Sequence, residues 1–260
     1  MSDELLVDRK GAVATITINR PKQRNAMNAS MWERIPILFE ELGRDDHVRA
    51  IVLRGAGLRS FVSGADISEF DALRNDSKTA RAYNTLLNRA NRTIQVCPKP
   101  TVAMIFGYCM GGGMTLATSC DLRFAAQGST FSIPAGRLSI VYGVEATMPL
   151  VHLVGPSRAK EMLFSARTLD SQEALAIGLV NRVLPVDELE SFTYDYLQKV
   201  AANAPLTVRG AKAVIAAILE HDPVKTQVAD QLALSAFDSE DYREAVRAFL
   251  EKRSPRFQGR

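Results

Sequence analysis

The amino-acid sequence predicts an α/β fold, and three observations support this prediction. Patterns typical of strands alternate with patterns typical of helices up to about residue 185, where a purely helical pattern takes over. The 260 residues are 47% hydrophobic and 23% charged, an ordinary composition for a globular protein with a core. Glycines cluster directly after one of the predicted strands, in residues 107–113. We therefore expect a strand, a turn formed by the glycines and a buried helix, in that order.

The predicted strands are short and mostly apolar. Residues 12–18 alternate with a period of two, whereas residues 50–54 and 101–106 are continuous apolar runs suited to buried strands. Two further short strands are predicted at residues 122–124 and 129–133. The strand signals are therefore concentrated in the first half of the chain.

The predicted helices lie between these strands and after them. Apolar residues at helical spacing mark residues 30–42 and 80–96, and a helical pattern starts again at Glu145. Asp170, with Glu173 three residues later, resembles a capping box that opens another helix.

The pattern after Pro185 is helical almost to the end of the chain. Asp222 followed by Pro223 is typical of a helix cap and first turn, and Asp238 with Asp241 predicts the start of the last helix. The chain thus divides into a mixed region and a helical tail.

Charge and cysteine content exclude several classes of protein. Lys and Arg number 32 against 29 Asp and Glu, which gives a net charge of only +3, so the signal for nucleic-acid binding is weak. An odd number of cysteines in apolar surroundings favours reduced core thiols and a cytoplasmic protein over a disulfide framework. The first residues lack the layout of a signal peptide, and no apolar run approaches the ~20 residues of a membrane span. These cysteines are Cys97, Cys109 and Cys120.

The glycine run has two interpretations. Gly111, Gly112 and Gly113 at a helix start can present backbone N–H groups to a phosphate or an oxyanion, or they can let the helix pack closely on a strand. The spacing from Gly107 does not match the dinucleotide fingerprint, and the sequence contains neither a P-loop nor a nucleophile elbow. The histidines stand alone and predict neither a triad nor a metal site; they are His47, His152 and His221.

Two glycine-bearing loops together resemble a known family. Ser-Gly-Ala-Asp-Ile at residues 63–67, Gly-Tyr-Cys-Met-Gly-Gly-Gly at residues 107–113 and Cys-Asp-Leu at residues 120–122 resemble the enoyl-CoA hydratase/isomerase family, the crotonase superfamily. Further matching segments are residues 19–21, 25–27, 174–183 and 248–253, so that the resemblance covers nearly the whole chain.

The resemblance implies a fold, a substrate class and an assembly. The fold is a crotonase-like spiral of repeated strand-strand-helix units in residues 1–190, which hold the acyl-CoA site, followed by a helical oligomerisation region in residues 191–260. The implied assembly is a homotrimer or a dimer of trimers. The implied substrate is an acyl-CoA thioester, and no separate cofactor is expected because coenzyme A is part of the substrate.

The resemblance also assigns roles to matching positions. The backbone N–H groups of Ala65 and Gly112 would form an oxyanion hole for the thioester carbonyl, a role that fits chemistry in which negative charge builds on oxygen. For Lys252 a solvated helix end is an equally good interpretation. The positions that match the coenzyme A path are Ala26, Asp66, Ile67, Phe249 and Lys252.

The sequence departs from the family where a hydratase places its two glutamates. Thr115 and Ala135 occupy those positions, so the paired acid and base that activate water are missing. Tyr142 and Glu145 lie in the loop and helix start that face the acyl group in the family, and they could replace the missing groups. Tyr142 could equally be a packed aromatic residue and Glu145 a first-turn carboxylate. For Arg137, a structural ion pair is favoured over contact with an acidic substrate.

The leading functional hypothesis is a lyase or isomerase that stabilises a thioester enolate. The alternatives are a decarboxylase or hydrolase using Tyr142 and Glu145, and a non-catalytic acyl-CoA binding protein. Nucleic-acid binding is disfavoured because residues 81–92 offer only three arginines. The acyl group stays open, since loops such as residues 74–78 have no readable pattern.

Overall fold

The computed structural model describes residues 4–260, in which ten strands form two sheets. The strands are β1 (Leu5–Lys10), β2 (Val13–Ile18), β3 (Ala50–Gly55), β4 (Ser60–Val62), β5 (Thr101–Ile105), β6 (Tyr108–Met110), β7 (Leu122–Ala126), β8 (Thr130–Ser132), β9 (Leu169–Asp170) and β10 (Arg182–Leu184).

The larger sheet has the strand order β1-β2-β3-β5-β7-β10. β1 pairs with β2 in antiparallel fashion, and the other neighbours are parallel. Its central strands are buried on both faces, as is usual for parallel strands covered by helices. Ile16 and its neighbours on one face join the main core, whereas Val52 and Met104 on the other face pack against Tyr194 and Leu197.

The smaller sheet, of order β4-β6-β8-β9, consists of strands of two or three residues. β4, β6 and β8 are parallel, and β9 closes the sheet in antiparallel fashion. The strand predicted at residues 129–133 corresponds to β8, whereas β4, β6 and β9 were not predicted, because such short segments next to turn residues carry little strand pattern. β6 lies inside the glycine-rich segment that was predicted to be only a turn.

Ten α-helices connect and follow the strands within residues 4–260. They are α1 (Ala29–Arg44), α2 (Phe70–Leu73), α3 (Ser77–Val96), α4 (Gly112–Ser119), α5 (Val144–Ser165), α6 (Ser171–Ala176), α7 (Leu189–Ala201), α8 (Pro205–Glu220), α9 (Pro223–Ser235) and α10 (Glu240–Leu250). α5 is broken at Gly155, whose φ of 74° is not helical.

Most predicted helix starts are confirmed. Asp170 and Glu173 form a reciprocal capping box at α6, and the Asp222 carboxylate caps α9. The expected start of the last helix is wrong, because Ser239 rather than Asp238 caps α10. Asp241 is instead buried, and its carboxylate accepts hydrogen bonds from backbone N–H groups of the C-terminal segment.

The three cysteines are buried and have free thiols, as predicted. Burial raises the pKa of each thiol, that of Cys120 to about 12, so these groups stay protonated at neutral pH. Among residues 4–260, no helix is both long enough and apolar enough to cross a membrane.

The helical tail contains two kinds of surface. α7 packs on the larger sheet through Leu189, Tyr194 and Leu197. The helices beyond it carry large apolar side chains that are exposed in the isolated chain. Examples are Ile215, Ile218, Val224, Leu234, Phe237, Phe249 and Leu250.

Candidate active site

Ala65 follows β4 and lies opposite Met27 in an isolated parallel bridge. The Met27 N–H donates to the Gly64 carbonyl at 2.9 Å, and the Asp66 N–H donates to the Met27 carbonyl at 2.8 Å. Because both bonds of the bridge are made by the residues flanking Ala65, its own N–H points away from Met27. Gly64 has a φ of +118°, which allows the chain to turn at this point.

Three consecutive glycines bring the start of α4 against this loop. Gly111 has φ 51° and ψ −112°, a conformation that a side chain disfavours. A Cβ on Gly113 would lie 2.3 Å from the carbonyl oxygen of Val62, so only glycine lets α4 approach β4 this closely. Gly112 is the first residue of α4, and its N–H has no partner within the helix. The close packing of α4 on β4 therefore explains why residue 113 is a glycine. The same packing places the Gly112 N–H next to the loop that contains Ala65.

The N–H groups of Ala65 and Gly112 lie side by side. A Cβ on Gly112 would be 3.5 Å from Ala65 N, and one on Gly64 would be 3.9 Å from Gly112 N. Neither N–H donates a hydrogen bond to any group of residues 4–260. Two adjacent donors, one of them at the positive end of a helix, suit an oxygen that gains negative charge.

Trp32 packs beside this pair, and Tyr83 lies next to Trp32. Trp32 is fully buried in α1, and its Cζ2 lies 3.0 Å from the position of a Cβ on Gly112. Within residues 4–260, neither the Trp32 Nε1–H nor the Tyr83 hydroxyl has a hydrogen-bond partner. Burial raises the pKa of Tyr83 to about 12, although the indole is close enough to offset part of this effect. Trp32 and Tyr83 therefore provide two buried polar groups with unused hydrogen-bonding capacity.

Tyr142 lies beside the glycine run, in the loop before α5. Its hydroxyl is 3.5 Å from the position of a Cβ on Gly111. Burial raises the pKa of Tyr142, and the positive charge of Arg74 opposes this only in part. The phenol is therefore a neutral hydrogen-bond donor at physiological pH, placed beside the glycine run.

The two positions that the resemblance matches to the glutamates of a hydratase hold no ionisable group. Thr115 is buried in α4, and its hydroxyl donates to the Gly112 carbonyl at 2.9 Å. Ala135 is buried in the turn Pro134–Arg137 that follows β8. The Thr115 hydroxyl thus forms its hydrogen bond within α4, and the Ala135 side chain has no polar atom. Neither side chain can therefore exchange a proton with a substrate.

Glu145 and Arg137 lie on the surface. Glu145 is exposed in the first turn of α5, where its charge complements the helix dipole, and it has no ion pair or hydrogen bond within residues 4–260. Arg137 is exposed at the end of its turn. The structural ion pair expected for Arg137 is wrong, because no carboxylate of residues 4–260 pairs with it. Of the two candidate acid/base residues, Tyr142 is the one whose side chain contacts the glycine run.

The positions predicted to line the coenzyme A path fall into two groups. Ala26 and Asp66 lie together, because the Arg20 guanidinium donates to the Ala26 carbonyl at 2.8 Å and to Asp66 Oδ2 at 2.7 Å. Hydrogen bonds from Ser68 and then Arg20 hold the pKa of Asp66 below its ordinary value. Ile67 is adjacent and 67% exposed.

Phe249 and Lys252 lie on α10 and just beyond it. Phe249 is 84% exposed, and Lys252 has a φ of 54° at the end of the helix. The main packing partners of α10 are residues 236–238 and the C-terminal segment. Within one protomer the structure therefore does not group these two residues with Ala65 and Gly112.

The sequence analysis missed Trp32, Tyr83 and Arg74. Trp32 and Tyr83 fit ordinary apolar helix patterns, which predict burial but not an unpaired polar atom. The only available signal was chemical, since both side chains carry a donor that needs a partner when buried. Arg74 lies at the start of the loop with no readable pattern.

The fold is α/β with two sheets, and comparison with known proteins identifies the family of enzymes to which the chain belongs. The model of the enoyl-CoA hydratase/isomerase family matches residues 8–260. A short-chain-enoyl-CoA hydratase of Clostridium acetobutylicum is 36% identical over 253 residues, with 96% of each chain covered. A methylmalonyl-CoA decarboxylase of Escherichia coli is 32% identical over 251 residues, with 95% of each covered.

The fold agrees with solved structures. The crystal structure of an enoyl-CoA hydratase/carnithine racemase from Magnetospirillum magneticum superimposes with a TM-score of 0.96 at 37% identity, covering 100% of this chain and 97% of that one. The chain belongs to the enoyl-CoA hydratase/isomerase family. It has the crotonase fold and is an acyl-CoA enzyme of that family, as the resemblance predicted.

Proposed function

We propose that this enzyme is a lyase or isomerase that stabilises the enolate of an acyl-CoA thioester between the N–H groups of Ala65 and Gly112. The observation that supports this most directly is the adjacency of these two donors, neither of which is used by residues 4–260. The thioester oxygen accepts both hydrogen bonds, which strengthen as charge moves onto it. One such donor contributes about 3 kcal/mol to the stability of the transition state.

The proposed reaction does not use the two-glutamate mechanism of hydration. Adding water to a double bond requires one group to remove a proton from water and another to deliver a proton to carbon. Thr115 is hydrogen-bonded to its own helix and Ala135 has no polar atom, so neither provides these steps. The paired N–H groups therefore support enolate chemistry whose proton transfers are made elsewhere.

Decarboxylation is the candidate that the position of Tyr142 favours, and one relative is a methylmalonyl-CoA decarboxylase. In this reaction the bond between the α-carbon and a carboxylate breaks, and its electron pair forms the enolate. CO2 leaves, and a proton then adds to the α-carbon. No base is needed. A neutral phenol at Tyr142 can orient the carboxylate before it leaves and donate to the site afterwards. Hydrolysis is less well supported, since Glu145, its proposed base, is exposed.

We further propose that residues 191–260 form contacts in a homotrimer or a dimer of trimers. The exposed apolar side chains of α8 to α10 support this, because a monomer gains nothing from leaving them in water. In such an assembly Phe249 and Lys252 of one protomer would approach coenzyme A bound to another. Residues 1–190 would hold the remainder of the acyl-CoA site, with Ala26, Asp66 and Ile67 beside the coenzyme, and no cofactor beyond the substrate's own coenzyme A is required.

The proposal is tested by incubating the protein in D2O with crotonyl-CoA, a 3-enoyl-CoA, methylmalonyl-CoA and an aryl-CoA. Products are followed by mass spectrometry. Enolate formation predicts deuterium at the α-carbon of the product, and decarboxylation predicts one deuterium in place of the lost carboxylate. Glu145→Gln is expected to behave like the wild type, whereas Tyr142→Phe slows decarboxylation.

Two results contradict the proposal. Rapid hydration of crotonyl-CoA that survives both Tyr142→Phe and Glu145→Gln would show that a different set of residues activates water. Binding of every thioester without turnover or α-deuteration would instead favour a non-catalytic acyl-CoA binding protein.

A further inference from the structure

Arg74 follows the short helix α2 and is held between two aromatic rings. Its guanidinium carbon lies 4.7 Å from the centroid of the Phe70 ring and 5.2 Å from that of Tyr83. The side chain is only partly exposed. Stacking on two rings fixes the cation in one place and removes part of its hydration.

The Arg74 guanidinium has no ion pair and no hydrogen bond within residues 4–260. Two nearby carboxylates of the same segment are engaged elsewhere. Glu69 Oε2 accepts a hydrogen bond from the Ala29 N–H at 2.8 Å, and Asp66 Oδ2 pairs with Arg20. A partly buried arginine is usually paired, so Arg74 is a fixed cation available to an anionic ligand.

Arg74 belongs to the wall of the candidate active site. The Tyr83 ring that it contacts lies beside Trp32, and Trp32 in turn packs at 3.0 Å from the Cβ position of Gly112. Arg74 is also close enough to Tyr142 for its charge to act on the phenol. The cation therefore belongs to the cluster of side chains that connects Trp32, beside Gly112, with Tyr142, beside Gly111.

We propose that Arg74 binds a carboxylate at the far end of the acyl chain, so that the substrate is the CoA monothioester of a dicarboxylic acid. A planar guanidinium matches a carboxylate with two parallel hydrogen bonds, and its charge selects this group over a neutral chain end. The inference rests on the proposed function only in placing the thioester carbonyl at Ala65 and Gly112.

The carboxylate bound by Arg74 is not one that leaves as CO2, so a substrate that is decarboxylated would carry a second free carboxylate near the thioester in addition to the one at Arg74. Decarboxylation removes the negative charge from the departing group, so a cation paired with it stabilises the substrate more than the transition state and slows the reaction. Tyr142, a neutral donor 3.5 Å from the Gly111 Cβ position, is the group suited to a carboxylate near the thioester. Arg74, beyond Trp32 and Tyr83, is suited to one several carbon atoms away.

Binding of inert analogues tests this without any turnover. Thioethers of coenzyme A in which a methylene separates the sulfur from a ketone carbonyl are prepared in three chain lengths, each ending either in a carboxylate or in the isosteric carboxamide. Titration calorimetry gives both dissociation constants. Fluorescence of Trp32, the only tryptophan in the chain, reports whether the ligand occupies the site beside Gly112.

The wild type is expected to bind the carboxylate of the preferred length at least ~10-fold more tightly than the carboxamide, since a charge-assisted pair contributes about 1.5–3 kcal/mol. In Arg74→Gln this ratio falls to about one, while the carboxamide binds as before. Arg74→Lys keeps part of the preference. The matched control is Arg81→Gln, an exposed arginine of α3, which retains the full ratio.

Three results would overturn the inference. One is a folded Arg74→Gln variant in which the ratio of the carboxamide to the carboxylate dissociation constant is the same as in the wild type. Another is that the preference for the carboxylate over the carboxamide is lost in Arg137→Gln but kept in Arg74→Gln. The third is equal weakening of carboxylate, carboxamide and free coenzyme A by Arg74→Gln, which would show that Arg74 binds a phosphate of coenzyme A. Failure of the proposed function is a separate outcome, because the ratio can be present when no thioester is turned over.

Discussion

The paired N–H groups of Ala65 and Gly112 are held in place differently from the side chains around them. The backbone pair is fixed by a strand-like bridge at Met27, by the conformation of Gly111 and by a contact at Gly113 that admits no side chain. The side chains at the positions matched to the hydratase glutamates, Thr115 and Ala135, are held only by ordinary packing and a hydrogen bond within α4. Under the proposed function, the backbone part binds what all substrates share, a thioester carbonyl, and the side chains determine which reaction follows.

The largest expected effect comes from removing one backbone donor. Gly112→Pro deletes an N–H at the first position of α4, where proline is tolerated, and it is expected to lower kcat about 100- to 1000-fold for the best substrate of the panel. Gly112→Ala is the matched control, since it adds a Cβ at the same place near Trp32 but keeps the N–H. Equal losses in the two variants would mean that crowding, and not the donor, is responsible.

Supplying the missing acid and base tests the other side of the comparison. Thr115→Glu combined with Ala135→Glu is expected to increase crotonyl-CoA hydration at least ~10-fold over the wild type, because positioned acid–base groups contribute roughly 100- to 10,000-fold. Either single substitution should increase the rate of hydration only slightly, because hydration needs both groups. A folded double variant with no gain would show that the backbone pair is not placed as it is in a hydratase.

The close approach of α4 to β4 is tested by stability. Gly113→Ala places a Cβ 2.3 Å from a backbone oxygen and is expected to lower the free energy of unfolding by about 1–3 kcal/mol in urea titrations. Gly210→Ala, inside α8 and with nothing within 4 Å of its Cβ, should stabilise by about 0.5–1 kcal/mol. If Gly113→Ala is as harmless as Gly210→Ala, the two loops are less tightly packed than described.

Tyr142→Phe is expected to lower turnover of a carboxylated thioester about 10-fold without changing the melting temperature, since the ring packing remains and one hydrogen bond is lost. Because burial raises the pKa of this phenol, its contribution should not decline as pH rises from 7 to 9. A loss of the wild-type rate that begins below pH 9 and is absent in Tyr142→Phe would contradict a protonated donor.

The smallest effect concerns Tyr83 and alkaline pH. Its pKa is about 12 in the folded protein and 10.0 ordinarily, so between these values the unfolded chain loses a proton that the folded chain keeps. The free energy of unfolding therefore falls as pH rises through this range, and Tyr83→Phe should lessen the fall. At pH 8 the substitution should cost nothing, because the hydroxyl has no partner within residues 4–260. An equal alkaline slope in both proteins would contradict the buried phenol.

Sequence reasoning predicted those parts of the fold and site that depend on local pattern or on glycine chemistry. The buried strands β3 and β5, the capping box at Asp170 and the functional interest of the glycine run all have local signals. β4 and β6 carry the loops of the site, but they were missed because each has only three residues and lies next to glycines that indicate a turn. Arg74 was missed because the sequence does not show whether an arginine has an ion-pair partner. That is known only once the folded structure shows which groups surround it.

The bridge between Met27 and Ala65 has a consequence for how the enzyme acquires activity. Ala65 and Gly112 belong to segments far apart in the chain, and each is fixed only after its neighbours have docked. Non-local contacts of this kind form late and slowly during folding. Refolding chains should therefore recover helical circular dichroism before they recover the fluorescence of Trp32 or the ability to bind a thioester analogue. The delay between these signals would time the docking of the two loops.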